Sequence, residues 1–529
     1  MTLQEFLQHW NLVENPFQGE EARTDRVFGR MNGQGGKALS VPVNLGGNAA
    51  YHADFDRVMG DLRAPSSAVV FGEKGSGKTA MRLQIAARIR EHNAENPDAK
   101  ILLVAHDELN TMLVRIHERY NGKTPLDSFQ RIRLADHLDA ILAAIMGRLT
   151  DAMLGDPQPE ASIEQMISIG PEPKKAVRRL DPVVRRDLLL LQALYDRPGQ
   201  ADERTRRLRR RLGLRVSPGD VAARVLLVLW PLAVIAFYIW SKDQPDAVRH
   251  AEWVKWTLMT GAGAYGLMLI AYLSRRVIAI RQLGRRMRKQ IPSAGRGFAS
   301  FSRSLGLVDS RTRTLAPTID APETRYTLLE RLRRAMMSLG YSGVVVVIDR
   351  VDEPPLISGD MDRMKAVIWP LLNNRLLQLE GIGVKMLLPI ELRHALYKES
   401  NSFFQEARLD KQGFVDRLSW SGATLYDLCN SRLRACTKAA SVGLQLPGAG
   451  LNLIDLFAED VSLNDLTEAL EHMHQPRDAF KFLYRAVSEH CAAVTSLQNQ
   501  WRIPRYILEV VKKQEIERVQ ALYRGIRPA

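Results

Sequence analysis

The octapeptide Gly72-Glu73-Lys74-Gly75-Ser76-Gly77-Lys78-Thr79 constrains the fold of this chain more than any other feature. It fits G-x-x-x-x-G-K-[ST] at every position. A β-branched run, Ser67–Gly72, precedes it, and Ala80–Glu91 follows with Ala, Leu and Ile at helical spacing. In a strand, glycine loop and helix of this kind, backbone N–H groups turn inward as an anion nest at the positive end of the helix. Lys78 is expected to reach the β- and γ-phosphates of a nucleotide, and the Thr79 hydroxyl to ligate Mg2+. A plain glycine turn has no use for Lys-Thr at its end.

Three further apolar runs, Lys100–Ala105, Gly343–Ile348 and Val384–Pro389, lack polar alternation. Strands buried on both faces of a parallel sheet read this way, so the fold class is α/β, a P-loop NTPase sheet flanked by helices. Gly343–Ile348 ends at Asp349, the carboxylate best placed to hold Mg2+ beside the glycine loop. In Asp349-Arg350-Val351-Asp352-Glu353, either Asp352 or Glu353 would polarise the attacking water. ATP is favoured over GTP because no Asn-Lys-x-Asp follows a strand; Ser241-Lys242-Asp243 imitates it in the wrong place.

The formal net charge of +15 points to an anionic partner, and much of the excess is local. Arg204, Arg206, Arg207, Arg209, Arg210, Arg211 and Arg215 precede the apolar stretch Val221–Trp240. Arg275, Arg276, Arg281, Arg285, Arg286, Arg288 and Lys289 follow the uncharged run Trp256–Ser274. Each stretch approaches the roughly 20 residues that cross a bilayer core. Arg224 can snorkel to the headgroups, and Trp230, Tyr238, Trp240, Trp253, Trp256 and Tyr272 lie near the expected interfaces. Basic outer flanks around the short connector Ser241–Lys255 place both flanks in the cytoplasm, the topology that lets Gly72–Thr79 meet Asp349. The expectation is a two-helix transmembrane hairpin, about 221–240 and 256–274, in a multi-pass protein of the cell inner membrane. The lipid bilayer is then a partner, and nucleic acid is disfavoured because anionic lipid accounts for the arginines more simply. The N-terminus lacks a basic region followed by an apolar one, so it is no secretory signal. Cys429, Cys436 and Cys491 have no CxxC spacing, which argues against a disulfide framework or a zinc site.

A glycine-loop domain interrupted by an even number of membrane spans resembles the KAP family of NTPases, a branch of the STAND group of signal-transducing ATPases. Ile348-Asp349-Arg350-Val351-Asp352-Glu353 departs from the usual Asp-Asp-Leu-Asp-Arg of KAP proteins and is closer to the Asp-x-hydrophobic-Asp-Glu of NACHT-type members. Late in the chain, His474-Gln475-Pro476-Arg477-Asp478 opens a helix as Pro-Arg-Asp does in the helical lid of AAA+ ATPases. That likeness makes Arg477 a sensor arginine for the γ-phosphate, and Arg375 a candidate finger acting on a neighbouring copy. The resemblance implies an AAA+/STAND-like nucleotide switch in signalling or anti-phage defence, with slow Mg-dependent ATP hydrolysis, self-association and a protein partner of unknown identity. The competing reading is an ATPase motor driving DNA or protein transfer at the inner membrane. The chain divides on this reading into an N-terminal segment 1–63, a first nucleotide-binding part 64–175, and a helical insertion 176–292 carrying the hairpin. A linker 293–322, a second nucleotide-binding part 323–430 and a C-terminal helical lid 431–529 complete it.

Overall fold

The computed structural model describes residues 1–523 apart from 20, 32–50, 107–108, 159–165, 215–217, 243–251, 408, 410–412, 438–449 and 495–499. The glycine-rich run Asn32–Gly36, Arg215, Asp243 and most of the connector 241–255 therefore lie outside the described residues, as do the side chains of Arg224, Arg275 and Arg276.

The strands are β1 (Ala68–Gly72), β2 (Lys100–Ala105), β3 (Tyr341–Ile348), β4 (Ile382–Pro389) and β5 (Phe414–Val415). They form one sheet in the order β2-β3-β4-β1-β5, with every pairing parallel. Both faces are covered. Val70, Leu103, Val345 and Leu387 pack on the helix Lys78–Glu95 through Met81, Ile85 and Ile89. Val69, Phe71, Val104, Val346 and Leu388 join the larger core on the other side. Burying an aliphatic side chain of this kind contributes roughly 1.5–3 kcal/mol, which is why strands without polar alternation settle here rather than at a solvated face. The strand β5 is only two residues long, too short to leave a periodic signal in the sequence.

The long insertion leaves between β2 and β3, which are neighbours in the sheet, so the sheet continues unbroken across it. Its helices Leu134–Leu154, Pro182–Tyr195 and Pro322–Met337 pack into the larger core. Segment 293–322, read as a linker from its Ser, Gly and Arg content, carries the helix Phe298–Leu305 with Phe301 and Leu305 fully buried. Arg296 fixes that segment by donating to the Ala193 carbonyl at 2.7 Å and to Ser304 Oγ at 2.7 Å.

One described stretch, not two, is long and apolar enough to cross a membrane: Val225–Lys242, 6% buried, within the helix Pro218–Lys242. The second helix, Glu252–Tyr272, begins with Glu252 and Lys255 and carries Thr257, Thr260, Gly261, Gly263 and Gly266, which dilute its apolar content. The two pack as a helical hairpin. Trp230 Nε1 donates to the Gly261 carbonyl at 2.9 Å, and the Phe237 and Trp253 rings lie 6.3 Å apart.

The described residues up to Met31 pack on the C-terminal helices, whereas Phe55, Val58 and Met59 join the sheet core. Phe6, Leu12, Phe17 and Val27 share a core with Leu425, Leu466, Phe482 and Leu508. A buried ion pair, Arg432 to Asp25 at 2.6 Å, and a bond from Arg432 Nε to the Pro16 carbonyl at 2.8 Å fasten the two ends of the chain.

Lys385 sits within β4 with 0% exposure, and its ammonium donates to the Met59 carbonyl at 3.0 Å. Burial pulls its pKa down to about 8. The unfolded chain therefore binds more protons between about pH 8 and 10.5, and stability rises with pH through that window; below it the penalty is fully present. Lys385→Met should stabilise the protein at pH 7 by about 1–2 kcal/mol, the penalty of about 3 kcal/mol less the lost hydrogen bond. Chemical unfolding at pH 7 and 9.5 tests this: the gain should shrink at the higher pH, and a gain independent of pH would contradict it.

Candidate functional site

The carboxyl ends of β1, β3 and β4 meet at one edge of the sheet. From β1 the chain turns through Gly72–Gly77 into the helix Lys78–Glu95. Gly75 (φ +102°) and Gly77 (φ +99°) take left-handed backbone angles that side chains resist. The Lys78 ammonium folds back over the loop and donates to the carbonyls of Gly72 at 2.7 Å and Glu73 at 2.9 Å. Burial draws its pKa below the ordinary lysine range, and Asp352, Asp349, Glu391 and Glu73 oppose that shift.

From β3 comes Asp349, 1% exposed. Its Oδ2 accepts a hydrogen bond from Thr79 Oγ1 at 3.4 Å, joining residues 270 positions apart. Arg82, one turn beyond Lys78 on the same helix, lies 4.0 Å from that oxygen. Burial pushes the Asp349 carboxyl up, and Arg82, the Arg350 amide and Lys78 counter it. Arg350 has φ +59°, a strained conformation costing on the order of 1–3 kcal/mol outside glycine. Its amide donates to Asp349 Oδ1 at 2.9 Å while its guanidinium pairs with Glu353 at 3.1 Å. The two acidic candidates therefore part company. Glu353 is 55% exposed and engaged by Arg350, whereas Asp352 is half-buried and is one of the carboxylates whose charge opposes the fall in the Lys78 pKa.

Two elements distant in sequence cover the loop. Arg417 donates to Glu73 Oε1 at 2.6 Å, and Trp420 Nε1 to the Ser76 carbonyl at 2.8 Å, just after β5. On the other side, Gln475 donates to Glu73 Oε2 from the start of the lid helix Pro476–Ala493. The fit there is close: a Cβ on Gly75 would lie 2.7 Å from Gln475 Oε1 and 3.2 Å from Arg477 Cβ. Arg477 is thus brought to the loop. Lys74 is exposed, and Arg375 lies outside the cluster with its guanidinium 4.3 Å over the Tyr326 ring.

The residues present fit a phosphate chain. Ser76 Oγ and Arg477 Nε are buried at the loop without a hydrogen-bond partner among the described residues, and a bound anion would satisfy both. One hydroxyl and one carboxylate, Thr79 and Asp349, match the sparse protein ligation of Mg2+, which keeps several waters and takes phosphate oxygens. No group of three or more His, Cys, Asp or Glu suited to a metal ion converges among the described residues.

Sequence reasoning missed Arg82, Glu391, Arg417, Trp420 and Gln475 as members of this cluster. Arg82 had a signal, its helical spacing after Lys78 and Thr79. Glu391 follows directly after β4, and the other three depend on tertiary folding. Comparison with protein-family models, with curated proteins and with solved structures gives no match to this chain. The fold and site define an α/β protein with a five-stranded parallel sheet flanked by helices and a glycine loop at the carboxyl edge of its strands.

Glu73 hydrogen-bonds to both covering elements. Glu73→Ala should free them with little cost to global stability, about 1–2 kcal/mol, because the Arg417 side is half-exposed. Limited trypsin digestion should then cut after Arg417 several-fold faster while the unfolding midpoint moves little. Equal cleavage rates would show that Glu73 does not hold the cover.

Proposed function

We propose that the chain is a membrane-anchored ATP-binding protein of the KAP and STAND type, acting as an ATP-dependent switch in bacterial signalling or anti-phage defence. One observation carries this reading: Lys78, Thr79, Asp349 and Asp352 meet at one sheet edge, with the lid residues Gln475 and Arg477 seated on Gly75. On this reading the Lys78 ammonium exchanges the Gly72 and Glu73 carbonyls for phosphate oxygens. Backbone N–H groups of the loop hold the phosphate chain at the helix N-terminus. Thr79 and Asp349 hold Mg2+, which when bound offsets the negative charge of the phosphates. Asp352 orients a water and accepts its proton, while Glu353 stays with Arg350. Arg477 reports whether the terminal phosphate is present, since it lies on the loop from the lid side.

The hairpin supplies the anchor, with Val225–Lys242 as one span and Glu252–Tyr272 as its antiparallel companion. Support for the second span is the apolar surface it turns outward: Met259 is 69% exposed, Leu267 71% and Ile270 64%. A soluble monomer rarely shows a continuous patch of this kind. On this reading both ends of the hairpin share one side, and the basic flanks favour the cytoplasm for both nucleotide-binding parts.

ATP turnover by the detergent-purified full chain tests the proposal. The wild type should hydrolyse slowly, Lys78→Ala should neither bind nor hydrolyse, Asp352→Asn should bind without turnover, and Glu353→Gln should retain most of its rate. Turnover surviving Asp352→Asn would overturn the catalytic assignment. Fast turnover stimulated by DNA or a protein partner would move the reading to a motor.

A further inference from the structure

The arginines flanking the hairpin do not all serve one purpose. On the entering helix Ala201–Arg211, Arg204 is bound to Asp151 and Asp196, Arg207 to Asp156, and Arg211 to the Leu154 carbonyl. Arg206 and Arg210, four positions apart on one helical face, are exposed and have no partner among the described residues. On the departing side, Glu252–Tyr272 runs through a single π-helical turn, Leu273–Ile278, into the helix Ala279–Gln290. That helix contains no acidic residue. Its inner face is pinned: Met287 has 0% exposure, and a Cβ on Gly284 would lie 2.8 Å from the Phe298 carbonyl. The pinning fixes the outward direction of Arg281 and Arg285, both exposed, with Arg285 5.8 Å from the Phe298 ring. The helix Phe298–Leu305 packs against both basic helices, and Arg303 reaches Asp202 on the entering one at 3.4 Å. The two helices that carry these exposed arginines are thus joined through Phe298–Leu305, and they flank the apolar hairpin in sequence.

We propose that Arg206, Arg210, Arg281 and Arg285 form a collar that binds the headgroups of anionic phospholipids; the inference rests on the membrane reading above. Charge and distance both favour that partner. At no more than 1.5 Å per residue, Arg281 and Arg285 stand at most about 12 and 18 Å beyond Leu273 along the helix. Helical side chains lean towards the N-terminus, here towards the bilayer, and the headgroup layer adds about 5–7 Å on each side of the core. Both guanidinium groups then come within about one Debye length of the lipid phosphates. Arg288 and Lys289 stand about 22–24 Å out, where screening removes most of the attraction.

The test is native mass spectrometry of the full chain in mild detergent with equal amounts of phosphatidylglycerol and phosphatidylcholine. The wild type should retain phosphatidylglycerol several-fold more than phosphatidylcholine at 50 mM salt and lose that preference at 500 mM. Arg281→Gln/Arg285→Gln should bring the ratio close to one, and Arg288→Gln/Lys289→Gln should leave it nearly unchanged. Should the first variant misfold, the wild-type salt series decides by itself. Equal retention of the two lipids by the wild type overturns the collar but leaves the membrane reading standing. Recovery of the chain in the soluble fraction without detergent overturns the membrane reading itself. A short DNA duplex that displaces the lipid through Arg281 and Arg285 would assign the surface to nucleic acid instead.

Discussion

The parallel register of β1, β4 and β3 is the constraint on which the candidate site rests. Val69 pairs with Met386 in β4, and Met386 pairs with Ile348 in β3, so Gly72 and Asp349 leave the sheet at the same edge. A one-residue slip would turn a strand over and exchange its two faces. Apart from Lys385 the buried side chains on both faces are apolar, and the register is held by packing against two different cores, one of them built on Met81, Ile85 and Ile89. The bond from Thr79 to Asp349 is a consequence of that packing rather than its cause. At 3.4 Å between a hydroxyl and a buried carboxylate, it contributes far less than the strands around it.

The second dependency is between the glycine loop and its cover. Glu73 receives Arg417 and Gln475, Ser76 receives Trp420, and Gly75 has no room for a side chain beneath Gln475 and Arg477. A ligand that reorganises Gly72–Thr79 must therefore move, or be moved by, the lid. Residues 1–31 travel with that lid, because Phe6, Phe17 and Val27 are buried in its core and Arg432 is tied to Asp25 and Pro16. The hairpin connects at the opposite end of the logic. The helix Ala279–Gln290 ends where Arg325 donates to the Gln290 carbonyl at 3.2 Å. Arg325 also grips Asp139 at 3.2 Å from the helix that leads into β3 and Asp349.

The strands that make the sheet were largely legible because each is a continuous apolar run. Lys100–Ala105 matches β2 end for end, and the runs beginning at Gly343 and Val384 miss only the first two residues of β3 and β4. Gly72–Thr79 was legible because its glycines and Lys78-Thr79 are dictated by local backbone geometry. The hairpin was legible as two helices but not as two equal spans, since Thr and Gly in the second pass for apolar in a charge count and not in a hydropathy sum. What the sequence hid was set by tertiary contact. Residues 293–322 look like a linker, yet Phe301, Leu305 and Val308 are buried, while Phe298 and Ile319 stay exposed. Nothing local separates Asp352 from Glu353; in the fold Glu353 pairs with Arg350 and is exposed, while Asp352 is half-buried.

The glycine loop and the lid are expected to respond together to nucleotide. Hydrogen exchange of the full chain, with and without Mg-ATP, measures this directly. Amides in 72–79 and 475–480 should gain protection together, and Lys78→Ala should abolish both changes. Protection of 72–79 with 475–480 unaffected would contradict the coupling of lid and loop, and no change in either segment would contradict nucleotide binding at this site.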